Sequence, residues 1–205
     1  GGDSLAWNLE ADDAALTATT QAAEKIYRSA GGEAAITTEI RVGAGASLHW
    51  LPQESILFDG GRLQRRLEAD VHGTAEFLAL EAVVFGRQAM GETIADLAFH
   101  DRWRVRRGGG LIFADDLRFG GPLPHGAAAL GGAGAIATLL LVSDQAESRL
   151  EALRGMLGAD GAASAWDGKL LARVRAKDGL ALRQRLIPAL KMLAPGQSLP
   201  TIWTV

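Results

Sequence analysis

The sequence predicts a mainly β fold with two α-helices confined to its C-terminal part. Three observations carry this. Apolar and polar residues alternate with the strand period in many short segments, as in Ala34 to Val42 and Arg62 to Val71. Turn signals such as Gly43-Ala44-Gly45, Asp59-Gly60-Gly61 and His72-Gly73 separate those segments. Helical spacing of leucines appears only late, in Asp144 to Leu157 and Asp178 to Leu193.

In chain order, Leu5 to Leu9 reads as a half-buried strand, Asp12-Asp13 as a turn and Ala15 to Thr19 as the returning strand. Thr19 to Ser29 reads equally as one helical turn or an irregular loop ending at Ala30-Gly31-Gly32. Ala34 to Val42 forms a strand, with Leu48 to Leu51 as its hairpin partner. Pro52 has no backbone N–H and restricts Leu51, so Pro52-Gln53-Glu54 is a corner between two buried runs. Trp50, Leu51, Ile56 and Phe58 are core candidates there.

Strands follow at Arg62 to Val71 and at Glu76 to Phe85, the second interrupted by Glu81. Gly86 to Glu92 is a glycine-bounded loop, and three strands are expected at Ile94 to Phe99, Trp103 to Val105 and Leu111 to Phe119. After Gly120-Gly121-Pro122-Leu123-Pro124 the pattern becomes β-α-β-β-α. It comprises a buried strand at Ala135 to Val142, a helix capped by Ser143 or Asp144, strands at Ala162 to Ala165 and Leu170 to Ala176, and a helix kinked at Pro188. The expected organisation is one domain over residues 1–205, with a β-rich portion at 1–120 and an α/β tail at 133–205. No internal repeat or low-complexity linker interrupts it.

Composition narrows the function classes. A chain of 205 residues buries roughly 70% of its unfolded surface and needs no covalent staple. It has no cysteine, which removes disulfides, thiolate metal sites and a cysteine nucleophile and fits a reducing, cytoplasmic compartment. No secretory leader and no bilayer-spanning run are expected, the longest apolar run, Ala135 to Val142, having only strand length. A net charge of −3 gives no reason to expect nucleic acid as a partner. Arg102 to Arg107, with Trp103 and Val105 interleaved, reads as a strand with one solvated face.

Gly132-Ala133-Gly134-Ala135-Ile136-Ala137 has the spacing of a dinucleotide fingerprint, but it follows a loop and opens a strand, the reverse of the required context. P-loop and G-x-S-x-G patterns are missing. Of the histidines, His72 and His125 sit beside glycines as surface turn residues, and His100 with Asp101 is the one candidate acid–base or metal pair. Glu81 lies inside an apolar strand, Asp115 ends the run Leu111-Ile112-Phe113, and Asp3 follows a glycine pair. A carboxylate among core residues must be paired, hydrogen-bonded or hydrated. Pairing with Arg28, Arg87 or Lys25 and a wet internal passage lined by acids are the two readings.

Several short pieces carry a resemblance. Gly1-Gly2-Asp3, Thr19-Thr20 through Lys25-Ile26-Tyr27-Arg28-Ser29, Leu51-Pro52-Gln53-Glu54, Phe85-Gly86-Arg87, Gly91-Glu92 and Leu199-Pro200 through Ile202-Trp203 occur in one order along nearly the whole chain. In these the sequence resembles the UreD (UreH) family of urease accessory proteins. The resemblance implies a β-helical arrangement of strands and a non-enzymatic role in urease maturation. It implies binding to apo-urease and UreF, with UreG reached through UreF, and a dimeric state in that complex. No nucleic acid, membrane or tightly bound cofactor is implied, and nickel is a transient cargo.

An internal water-filled passage for nickel is part of the same expectation, with Asp3, Glu81 and Asp115 along it and Glu24 where the family often has a small polar residue. Lys25, Tyr27, Arg28, Gln53, Glu54, Arg87 and Glu92 are carried over as structural or partner-related positions. Two departures accompany it: the family has further strands ahead of the Gly1-Gly2-Asp3 element, and it usually has a glutamate where His49 stands. Carboxylate and water suit a cation held briefly, whereas thiolate and imidazole suit one held tightly.

Overall fold

A computed structural model describes residues 1–87, 90–124, 126 and 129–204. His125, expected in a surface turn, and Gln88-Ala89 of the glycine-bounded loop lie outside the described residues. The strands are β1 (Ser4–Ala11), β2 (Ala15–Ala18), β3 (Glu24–Ile26), β4 (Ala34–Val42), β5 (Ser47–Trp50), β6 (Ser55–Leu57), β7 (Arg62–Val71), β8 (Glu76–Phe85), β9 (Ala98–Arg107), β10 (Gly110–Gly120) and β11 (Ala135–Val142). Then come α1 (Leu150–Leu157), β12 (Gly161–Trp166), β13 (Lys169–Ala176) and α2 (Gly179–Leu193). The fold is mainly β with two helices in the C-terminal part, as the sequence predicts.

The way the strands connect differs from the expectation. No hairpin joins β1 to β2 or β4 to β5. Instead β1, β4, β7 and β9 run parallel in a five-stranded sheet that ends on antiparallel β10, while β2, β5 and β8 run parallel in an eight-stranded sheet that continues through β11, β13 and β12. The short β3 and β6 extend the second sheet from β8, again in parallel. The chain therefore steps from one sheet to the other between β1 and β2, β4 and β5, and β7 and β8, in the manner of a β-helix.

The corners stack. The carbonyl of Ala11 accepts from Gly43 N–H at 2.8 Å, that of Val42 from His72 N–H at 2.8 Å, and that of Val71 from Gly108 N–H at 3.0 Å. Asp13 (φ 49°) and Gly45 (φ 68°) supply the left-handed backbone there. A glycine-bearing turn suits a sheet-to-sheet corner as well as a hairpin, which is why local sequence misled.

Three further boundaries are corrected. Glu24 to Ile26, read as loop or helical turn, is a strand because its backbone pairs with β6. The two strands expected at Ile94 to Phe99 and Trp103 to Val105 are the single β9. Its polar His100-Asp101-Arg102 centre resembles a break, but the strand pairs without interruption and the His100 and Asp101 side chains are bonded to Asp116 and Arg65. Ile94 and Leu97 are buried ahead of β9 without belonging to a strand. The first helix begins with a 3-10 turn at Glu147–Arg149, so its α-helical part is shorter than the leucine spacing suggests. In α2 Asp178 is the N-cap, its Oδ1 accepting from Ala181 N–H at 2.7 Å.

Three layers result. Alternate residues of β8 and β11 face the first sheet, where Leu67, Val71, Phe77, Ala79, Trp103, Val105, Leu140 and Val142 pack together. The other residues of the same strands, including Leu78, Leu80, Leu139 and Leu141, pack against Leu153 and Leu157 of α1 and Leu182, Leu186 and Leu190 of α2. Glu81 has the parity that points it between the two sheets. Among the described residues, no helix is long and apolar enough to cross a membrane.

Candidate functional site

Residue parity builds a charged cluster between the sheets. On β7, Leu63, Leu67, Ala69 and Val71 face inward, and Arg65 shares their parity. On β9 the inward residues are Phe99, Asp101, Trp103 and Val105. Arg65 stands opposite Asp101 in register, and Glu81 approaches from the other sheet. All three are at most 5% exposed.

Their geometry is bidentate on one side and single on the other. Arg65 Nε and Nη2 donate to Asp101 Oδ1 and Oδ2 at 3.2 and 2.8 Å, and Arg65 Nη1 lies 2.6 Å from Glu81 Oε2. Nη1 also donates to Ser55 Oγ at 3.1 Å. Trp50 Nε1 donates to Glu81 Oε1 and Trp103 Nε1 to Asp101 Oδ1, each at 3.2 Å. The guanidinium lies 5.5 Å from the Phe99 ring centre.

Two buried carboxylates share one cation. Burial pushes the Glu81 carboxyl up to about 7; Arg65 opposes this, Asp101 adds to it, and the Trp50 N–H works against it. Burial also disfavours the charged guanidinium, but Asp101 and Glu81 outweigh it and Arg65 holds its proton more tightly than usual. Glu81 is thus paired, but with Arg65 and not with Arg28, Arg87 or Lys25. The signal for Arg65 and Asp101 was present in the sequence as charged residues at the apolar parity of their strands.

The other expected acids are dispersed. Asp115 on β10 is half-buried and ion-paired with Arg173 on β13, a link between the two sheets. Asp3 is 93% exposed. Glu24 is half-buried and lines the same cleft of about 420 Å³ as Asp3, together with Lys25, Tyr27 and Arg28. Among the described residues, no group of three or more His, Asp or Glu side chains is close enough to hold a metal ion.

The His100–Asp101 pair is not formed. Adjacent strand residues face opposite ways: Asp101 turns inward to Arg65, and His100 meets Asp116 at 2.7 Å on the outer face. That hydrogen bond, with Arg104 beside it, holds the Asp116 carboxyl down at about 2. His49 is buried and lies 3.4 Å from Glu76, whose carboxyl is lowered first by that hydrogen bond and then by Ser143 and Arg149, against the effect of burial. The glycine-rich Gly132–Ala137 segment leads into β11, as its poor context for nucleotide binding anticipates.

The remaining motif residues assemble into two corners. At one, Arg183 Nη1 donates to Gln53 Oε1 at 2.8 Å and Glu54 Oε2 at 3.2 Å, and its guanidinium lies over Trp203, whose Nε1 donates to Leu51 O at 2.9 Å. Thr20 Oγ1 accepts from Gln53 N–H at 2.9 Å. Trp50, Leu51 and Phe58 are core residues here, while Ile56 is half-buried.

At the other corner, Glu92 accepts from Arg87 N–H and Nε at 3.0 Å and from Asp59 N–H at 3.2 Å. Asp59 also pairs with Arg28. Tyr27 stacks on Phe58 at 4.7 Å, yet remains 61% exposed. Lys25, Tyr27, Arg28 and Arg87 therefore present side chains outward, whereas Gln53, Glu54 and Glu92 tie the scaffold together.

Comparison with known proteins covers the whole of this arrangement. The sequence model of a family described as UreD urease accessory protein matches residues 1–204. The urease accessory protein UreD of Agrobacterium fabrum is 46% identical over 209 residues, taking in 100% of this chain and 74% of that protein. That of Rhizobium etli is 49% identical over 210 residues, with 100% and 77% covered. The urease accessory protein UreD 1 of Brucella melitensis is 46% identical over 213 residues, with 100% and 76% covered.

Proposed function

Because the chain belongs to the UreD family of urease accessory proteins, we propose that it is a non-enzymatic scaffold for urease maturation that helps nickel reach the urease active site. In this reading it works in the cytoplasm, binds apo-urease and UreF, reaches UreG through UreF, and is dimeric in that complex. Nickel is a passing cargo, and no resident cofactor takes part.

The observation that carries the nickel reading is the carboxylate of Glu81, buried between two sheets yet beside a second buried carboxylate, Asp101. In this reading the dispersed acids serve as further stations. Asp3 and Glu24 share an open cleft, and Asp115 lies at the β10 side. Oxygen donors in small numbers favour brief occupancy over storage. The outward Lys25, Tyr27, Arg28 and Arg87 are the candidate partner contacts, with Glu92 holding Arg87 from behind and Gln53 and Glu54 bracing the other corner.

A second reading, an interaction module whose acids are only structural, is favoured by the ion pairs Glu81–Arg65 and Asp115–Arg173. One experiment separates the two. A variant with Asp3, Glu81 and Asp115 all changed to Ala is expected to keep its partners in co-purification yet activate urease less at limiting nickel. Full activation there sinks the passage. Lost activation that merely follows a lowered circular-dichroism melting temperature supports the structural module, because an orphaned buried cation is destabilising.

A further inference from the structure

We propose that the open edge of β10 is a docking site for an extended segment of a partner protein, which adds a further strand to the five-stranded sheet. This surface goes beyond the maturation reading and does not depend on it.

The two sheets do not end together. β10 closes the first sheet and pairs only with β9. Its Asp115 meets Arg173, so β10 lies over β13. The second sheet continues one strand further, to β12, which has no counterpart in the first sheet among the described residues. Burial records the overhang. Ala162, Ser164 and Trp166 stand in register with Arg173, Leu171 and Lys169, and Leu171 packs into the core between the sheets. That face of β12 is therefore turned toward the first sheet, yet all three of its residues are exposed. The alternate residues Ala163 and Ala165 pack on the helical side instead.

Between this shelf and β10 runs a cleft of about 520 Å³, with Leu117 and Phe119 on one side and Ile136, Ala162 and Arg175 on the other. Its backbone, its apolar spacing and its charge define the occupant. Alternate N–H and C=O groups of an edge strand point away from its neighbour and stay free to pair. β10 is 11 residues long, contains no proline or lysine, and pairs regularly with β9 from Phe113 to Gly120. The charge of Asp116 is turned to His100 and Arg104 of β9, so it does not guard the edge. A polypeptide in extended form satisfies such a row of groups.

Leu117, Phe119 and Ile136 are only half-buried, so the added strand presents an apolar side chain at every second position. The small Ala162 and Ser164 leave room for large ones. Of the charges at the cleft, Arg173 is paired with Asp115 and Asp160 with Arg185, whereas Arg175 is exposed and has no ion pair among the described residues. One positive charge is left over, and the segment that matches it carries a carboxylate.

The test pans a phage-displayed library of random dodecapeptides against the full chain. The enriched peptides, made synthetically, are expected to alternate apolar residues, to carry an acid, and to slow hydrogen exchange at β10. Their affinity is expected to fall at least about tenfold in Ala162→Trp, which fills the shelf, and in Arg175→Glu. Both positions are exposed, so neither variant is expected to melt lower than the native chain. N-methylation of alternate peptide amides is expected to abolish binding to the native chain, which carries the test without any variant. The site is overturned if no such peptide is enriched, or if N-methylated peptides bind undiminished. It is also overturned if affinity survives both substitutions. A native dimer in equilibrium sedimentation that Ala162→Trp dissolves overturns it as well, because the occupant is then a second copy. With no urease or nickel present, none of these outcomes bears on the maturation reading.

Discussion

Glu81 holds a proton in the native state that its unfolded counterpart has released. Its carboxyl rises from 4.5 to about 7, so between those values folding takes up a proton. The stability from that proton is complete below pH 4.5 and is lost as the pH rises through about 7. Urea melts at several pH values are therefore expected to show native stability falling across this window, and Glu81→Gln is expected to flatten the fall. An equal slope in both proteins contradicts the assignment. Arg65→Met, which leaves two buried acids unpaired, is expected to cost about 3–5 kcal/mol in metal-free urea melts. These residues show what sequence reading reaches at this scale. The parity of β7 and β9 exposes Arg65 and Asp101 as inward charges, but only the contact between sheets reveals that Glu81 is their common partner.

The elements divide in the same way. β4, β7, β8 and β11 match their sequence patterns end to end because a buried face imposes strict alternation or an unbroken apolar run. Their neighbours were not legible, since a parallel stack between sheets needs only corner geometry that a hairpin turn also satisfies. α2 was legible through its leucines, whereas its N-cap Asp178 emerges only in the structure. Asp178→Ala is expected to cost about 0.5–2 kcal/mol through loss of the bond to Ala181 N–H, read as a lowered melting temperature. Trp203→Ala, which empties a fully buried site and frees the Leu51 carbonyl, is expected to cost about 3–5 kcal/mol in the same melts. A cost below about 1 kcal/mol shows that the C-terminal turn is not part of the cooperative unit.

Across the whole molecule, the same inter-sheet space is both core and charge reservoir. Apolar packing at Phe77 and Trp103 lies in the same layer as Glu81, Arg65 and Asp101. Function at this scale was legible only through the ordered motifs, because they mark corners and not chemistry. Leu51 to Glu54 meets Trp203, and Phe85 to Glu92 meets Tyr27 and Arg28 through Phe58 and Asp59. The bond from Trp203 to the Leu51 carbonyl spans 152 positions of the chain. Its consequence is one of timing. The early coils emerge from the ribosome long before the residues that clamp their corner, and contacts of such sequence separation form slowly. Until Arg183 and Trp203 arrive, the parallel strand edges are exposed and open to the wrong neighbour. A nascent chain halted after Leu193 is expected to be trapped by chaperones or aggregated, and pulse proteolysis of stalled chains is expected to show protection of β4 to β8 only after Trp203 has left the exit tunnel.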